Sequence, residues 1–175
     1  MRTNKSITLL SLIWLPALAI ASQPPDACAL LSPDAIRQAT GEPLVSTKPT
    51  AQVARGVRQS QCFYTLPTFT NSISVTLVGP AGSPRDAARE LWESWFHRDR
   101  DRDAKPGSEE EEAAAKAVPV PGLGDEAYWV QSFVGNLYVR KGGQFLRISL
   151  GGKAADADRR TTAAALATQA LRRLR

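Results

Sequence analysis

The chain holds a single histidine, His97, and so only one side chain of that type for acid–base chemistry near neutral pH. A Ser-His-Asp hydrolase site also needs a nucleophilic serine, usually on a tight elbow, and no Gly-x-Ser-x-Gly occurs. His97 follows an aromatic helical stripe, where a helix-end imidazole beside the C-terminal dipole is the simpler account. Glu90 and Glu93 are spaced three apart, and Asp125-Glu126 open a strand. Paired carboxylates can hydrolyse glycosides, but their separation in space decides this. Both glutamates fall on the helix face opposite Trp92 and Phe96, where charge is expected in any case.

Metal and cofactor chemistry is poorly supplied. One His and two Cys cannot build a multi-histidine centre, a zinc ribbon or an iron–sulfur site. Asp99, Asp101, Asp103 and Glu110 match positions 1, 3, 5 and 12 of a calcium loop. Position 6 is Ala104 instead of the turn glycine, Pro106 occupies position 8, and arginines alternate with the ligands. A solvated charge run explains the segment better. Pro121-Gly122-Leu123-Gly124-Asp125 precedes a strand, so it reads as a turn and not a phosphate loop. The expectation is no catalytic set, no metal and no cofactor.

Candidate binding residues are Trp92, Trp95, Trp129, Arg140 and Arg147. Burial in the core is the simpler fate of the three tryptophans, with a ligand-stacking platform as the alternative. Arg140, Lys141 and Arg147 are expected to line one sheet face near Arg172 and Arg173. Such a patch would suit anionic lipid, cell-wall polymer or an acidic partner. Nucleic acid is not expected, since no recognition motif occurs.

The elements that must position these residues are announced by caps and periodicity. Ser32-Pro33-Asp34 starts a helix that Gly41 ends, and Ser83-Pro84-Arg85-Asp86 starts a second. In the second, Ala87, Ala88, Leu91, Trp92, Trp95 and Phe96 form an apolar stripe. A third starts near Asp156 or Asp158 and is expected to run to the C-terminus. Between helices the period falls to two. Gln61–Leu66 and Ser72–Leu77 read as paired strands, and 127–134, 137–141 and 145–150 as a meander turning at Gly135-Asn136 and Gly142-Gly143. The expected fold is α+β, an antiparallel sheet of about five strands packed by helices in the order αββα-βββα. A charged insert at about 98–117 separates the halves, and each half ends its strands with a helix, which suggests a weak internal repeat.

The 175 residues carry a formal charge of +5, with 43% hydrophobic and 22% charged side chains. Residues 1–21 have the three parts of a secretory signal: basic Arg2 and Lys5, apolar Ile7 to Ile20, and a small-x-small Ala19-Ile20-Ala21. An uncleaved N-terminal anchor is the alternative; the three-part pattern favours cleavage. Residues 22–175 would then form a single exported domain, periplasmic or secreted, of charge about +3 and with no transmembrane span. Pro25-Asp26-Ala27 before Cys28 is not a lipoprotein signal. In an oxidising compartment Cys28 and Cys62 are expected to form a structural disulfide, in preference to a reactive thiol.

Asp26-Ala27-Cys28-Ala29-Leu30-Leu31-Ser32-Pro33, Cys62-Phe63-Tyr64 and Gly122-Leu123-Gly124-Asp125-Glu126-Ala127-Tyr128 together resemble a bacterial envelope family of unknown function, best known from actinobacterial lipoproteins. The resemblance implies a Cys28–Cys62 disulfide and an α+β sandwich with an antiparallel sheet, and it implies no catalytic residues. The functional expectation is an exported, non-enzymatic binding module for an envelope protein or a small apolar ligand. Alternatives are a small cell-wall-directed hydrolase using His97, Glu90, Glu93 or Asp125, and a peripheral envelope protein held by basic residues.

Overall fold

The computed structural model describes residues 26–82, 87–97 and 117–174. The signal-like segment, the Ser83 cap, the charged insert at about 98–117 up to residue 116, and the calcium-loop match lie outside the described residues. The α+β class and the antiparallel sheet are as expected, but the sheet has seven strands, not about five. These are β1 (Ser46–Ala54), β2 (Val57–Thr65), β3 (Ile73–Pro80), β4 (Val118–Pro119), β5 (Glu126–Val130), β6 (Gly135–Lys141) and β7 (Gln144–Leu150). Their spatial order is β1-β2-β3-β7-β6-β5-β4, antiparallel throughout. The additional strands are β1 and β4. Every residue of β1 is exposed, so it carries no apolar alternation for the sequence to show. β4 is two residues long and includes Pro119.

Among the described residues the helices are α1 (Pro33–Thr40), α2 (Ala87–Phe96) and α3 (Asp156–Leu171). The Ser32 hydroxyl accepts from the Ala35 N–H at 3.2 Å, Pro33 opens α1, and Gly41 closes it at φ 77°. Those are the expected cap positions, and each satisfies backbone groups that the helix ends leave unpaired.

Side chains alternate between the two sheet faces, and each face has its own apolar cluster. On the first face Cys62, Tyr64, Ile73, Val75, Leu77, Leu137, Leu146 and Ile148 pack beneath α1 and α3, which contribute Ile36, Ala163, Leu166, Ala167 and Ala170. The Cys28–Cys62 disulfide belongs to this face, tying a short 3-10 turn (Ala27–Ala29) to the middle of β2 across a Cα–Cα distance of 4.9 Å. Ala27 is held twice more, its N–H donating to Ser60 Oγ at 3.0 Å and its carbonyl accepting from the Tyr64 hydroxyl at 2.8 Å. Burial pushes the Tyr64 phenol up to about 12.

On the second face Val78, Val130, Tyr138 and Phe145 receive Ala88 and Trp92 from α2. Each half of the chain thus ends its strands with a helix, but α2 and α3 cover opposite faces. Gly135, expected in a turn, instead begins β6, where its Cα lies against the Trp129 indole and leaves no room for a Cβ.

Candidate functional site

The strand registers place the second-face residues in three cross-sheet rows. One row runs Gln59, Val78, Phe145, Arg140, Glu126; the next Gln61, Thr76, Arg147, Tyr138, Tyr128; the third Phe63, Ser74, Ser149, Asn136. The aromatic end lies under α2. Trp92 is fully buried there, with its ring centroid 4.5 Å from Phe96, 5.5 Å from Phe145 and 6.0 Å from Tyr128. Trp95 packs edge-on against Phe145 and Tyr138. Trp129 is buried on the first face, where its Nε1–H donates to Asp156 at 3.0 Å. The three tryptophans therefore form no common platform. Strand alternation puts Trp129 on the face opposite the other two.

Glu126 is the hub of the ionisable groups. Its carboxylate accepts from Trp92 Nε1 at 2.9 Å and from the Tyr128 hydroxyl at 2.7 Å. His97 Nε2 lies 2.7 Å away, and Arg140 Nε 3.5 Å away in an ion pair. Burial alone would raise the Glu126 carboxyl. The hydrogen bonds from Tyr128, His97 and Trp92, with the charge on His97, outweigh burial and hold it below the ordinary 4.5. Burial, the hydrogen bond to Glu126 and its charge together push the Tyr128 phenol up to about 12. A carboxylate with this many donors is committed as an acceptor, which suits a clamp better than a base. It fixes the end of α2 onto β5.

The depressed value sets a pH dependence. Ionised Glu126 stabilises the fold above about pH 4.5, and this contribution is lost as the pH falls through the lower folded-state value. Glu126→Gln should therefore flatten the acid limb of the melting-temperature curve between about pH 6 and pH 3. A limb as steep as the parent's would contradict the clamp.

The remaining sequence candidates lie elsewhere. Glu90 is exposed, and Glu93 pairs with Arg89 across the outer face of α2 at 3.7 Å. Asp125 accepts from the Gly142 N–H at 2.7 Å and pairs with Arg140 at 3.5 Å, holding the β6–β7 turn. Beside that turn lies an open depression of about 550 Å³ that includes Pro80, Lys141 and Leu174. The expected basic patch is split. Arg140 and Arg147 project from the second face and Lys141 from the first, because neighbours along a strand point oppositely. Lys141 Nζ donates to Leu171 O at 3.1 Å, and Arg173 donates to Ala29 O at 2.8 Å, both at the first-face end of α3.

Two features escaped the sequence. The first is the uncharged strip of Gln61, Ser74, Thr76, Ser149 and Asn136 around Arg147. The second is the outer edge of β1, with which no described strand pairs. The β1–β2 turn has two residues, Arg55 at φ 51° and Gly56 at φ 76°, the signature of a type I′ hairpin. Such a turn makes Ala54 and Val57 a hydrogen-bonded pair. Ala81 N–H donates to Gly56 O, which likewise directs the even-numbered residues of β2 to β3 and the odd-numbered ones to β1. It follows that Ser46, Lys48, Thr50, Gln52 and Ala54 bond to β2, while the backbone groups of Thr47, Pro49, Ala51 and Val53 face outward. The opposite sheet edge is the two-residue β4, with Pro119 in it.

No match to the chain was found among family models, curated proteins or solved structures. Among the described residues no helix is long and apolar enough to cross a membrane, and no three His, Cys, Asp or Glu side chains converge as a metal site.

Proposed function

We propose that the chain is an exported, non-enzymatic interaction module that holds an envelope protein by adding an extended segment of it to the free edge of β1. The carrying observation is the edge itself. Nine residues, all exposed, present the outward N–H groups of Thr47, Ala51 and Val53 and the carbonyls of Thr47, Pro49, Ala51 and Val53. Long edge strands are commonly blunted by charge, shortness or a covering element. Among the described residues only Lys48 and Pro49 serve that end, and Pro49 removes a single outward donor. Backbone groups in this array recognise another strand. They do not recognise a small apolar ligand, so the partner is a protein segment.

Export is supported by the signal-like residues 1–21, by the disulfide and by the resemblance to the envelope family.

Ala51→Pro tests the docking. Position 51 gives no N–H to β2, so proline there leaves the β1–β2 ladder intact while removing the central outward donor. Protein purified gently from its own envelope fraction should carry a partner chain in its native mass spectrum. The Ala51→Pro protein, melting within about 1 kcal/mol of the parent, should lose it. A parent that is bare, or a variant that keeps the same partner, would contradict the proposal.

A further inference from the structure

The second face carries a cation that no described carboxylate matches. Arg147 lies in the middle of β7, half-buried, directly opposite Thr76 on β3 and Tyr138 on β6. Its Nε is buried and makes no hydrogen bond, and no carboxylate among the described residues pairs with its guanidinium. The other two described arginines with a buried, unbonded Nε differ in this respect. Arg140 pairs with Asp125 and Glu126, and Arg159 donates to Phe133 O and Asp156. Beside Arg147 sits the Thr76 hydroxyl, 1% exposed and equally without a partner. Two neighbouring donors left unmatched in one place are costly to the free protein, since buried polar groups are ordinarily satisfied.

The surroundings determine what would match them. Ser74, Ser149, Gln61 and Asn136 flank the pair, all half-buried and all uncharged. Ser74 Oγ accepts from Gln61 Nε2 at 2.7 Å, so its own O–H remains to be donated. Ser149 is bonded to Asn136 at 2.6 Å, which closes the far side of the strip. The strip therefore offers a guanidinium fork and hydroxyl donors with no anion of its own. We infer that Arg147, Thr76 and Ser74 form an oxyanion site on the second face of the sheet, taking the carboxylate or phosphate group of a small ligand. Arginine receives both groups in bidentate fashion, and a flanking hydroxyl adds a third donor. The site stands apart from the β1 edge and does not depend on what docks there.

The test is thermal unfolding of the full chain in sodium phosphate and, separately, in sodium acetate, against sodium chloride of equal ionic strength. A bound anion should raise the melting temperature by about 5 °C or more once it exceeds its Kd a hundredfold. A shift in phosphate alone assigns the site to a phosphoryl group, one in acetate alone to a carboxylate, and one in both to an oxyanion of either kind. Thr76→Val supplies the internal control, since it replaces an unpartnered hydroxyl by a methyl group of similar shape. It should melt no lower than the parent in chloride, yet lose most of the anion shift. Arg147→Gln should abolish the shift, and Arg147→Lys, which keeps the charge but not the fork, should weaken it. The inference is overturned if neither anion shifts the parent, or if the Thr76→Val and Arg147→Gln proteins shift as much as the parent.

Discussion

Trp92→Ala will lower the unfolding free energy by about 3–5 kcal/mol. Trp92 is the knob by which α2 is seated: fully buried, it touches Phe96, Tyr128 and Phe145 and donates its indole N–H to Glu126. Truncation empties the centre of the second-face cluster and withdraws one donor from a carboxylate already drawn out of water. The two losses partly separate in Trp92→Phe, which keeps an aromatic ring in the cluster and loses the hydrogen bond together with some ring volume. Its cost should be about 1–3 kcal/mol. Urea titration of the three proteins measures both. A Trp92→Ala protein within about 1 kcal/mol of the parent would show that α2 is seated by something else.

The Cys28–Cys62 disulfide carries the second large effect. Replacing either cysteine by serine should destabilise the chain by about 2–5 kcal/mol. Two features place the loss within that range. The crosslink joins residues 34 apart, so it restricts a sizeable loop in the unfolded chain. Against this, Ala27 keeps its bonds to Ser60 and Tyr64, so the N-terminal turn stays docked without the covalent tie. Unfolding midpoints of Cys28→Ser and Cys62→Ser give the value. Equal stability of variants and parent would mean that the non-covalent clamp alone sets the position of this turn.

The α1 caps at Ser32 and Gly41 and the β6–β7 turn at Gly142-Gly143 were legible because each is a local signal, set by backbone geometry within a few residues. The apolar stripe of α2 was legible for the same reason. β1 was not, since a strand solvated on both faces bears no burial pattern and reads as loop. Gly135 reads as a turn residue in the sequence but lies in β6, because close approach to Trp129 selects glycine as strongly as a turn does.

The site residues show the limit of spacing arguments more sharply. His97, Asp125 and Arg140 each drew notice alone, yet Glu126 gathers His97, Arg140 and Trp92 only once α2 lies on β5. Arg147 stands out in the sequence as a cation. That it lacks a partner, and that Thr76 stands opposite it, follows from the β3–β7 register. That register joins the two halves of the chain, and no local pattern encodes it. The expected basic patch failed on a rule that sequence does supply: Arg140 and Lys141 are adjacent in one strand and must face opposite ways.

Residue-resolved amide hydrogen exchange across β1 tests the docking account most directly, because the hairpin register divides its amides into two classes. In the purified protein the amides of Lys48, Thr50 and Gln52 should be protected by β2, and those of Thr47, Ala51 and Val53 should exchange rapidly. When envelope extract containing the partner is added, the second set should become protected while the first changes little. Exchange at Thr47, Ala51 and Val53 that stays fast in the extract would contradict the proposal that β1 is where this protein holds its partner.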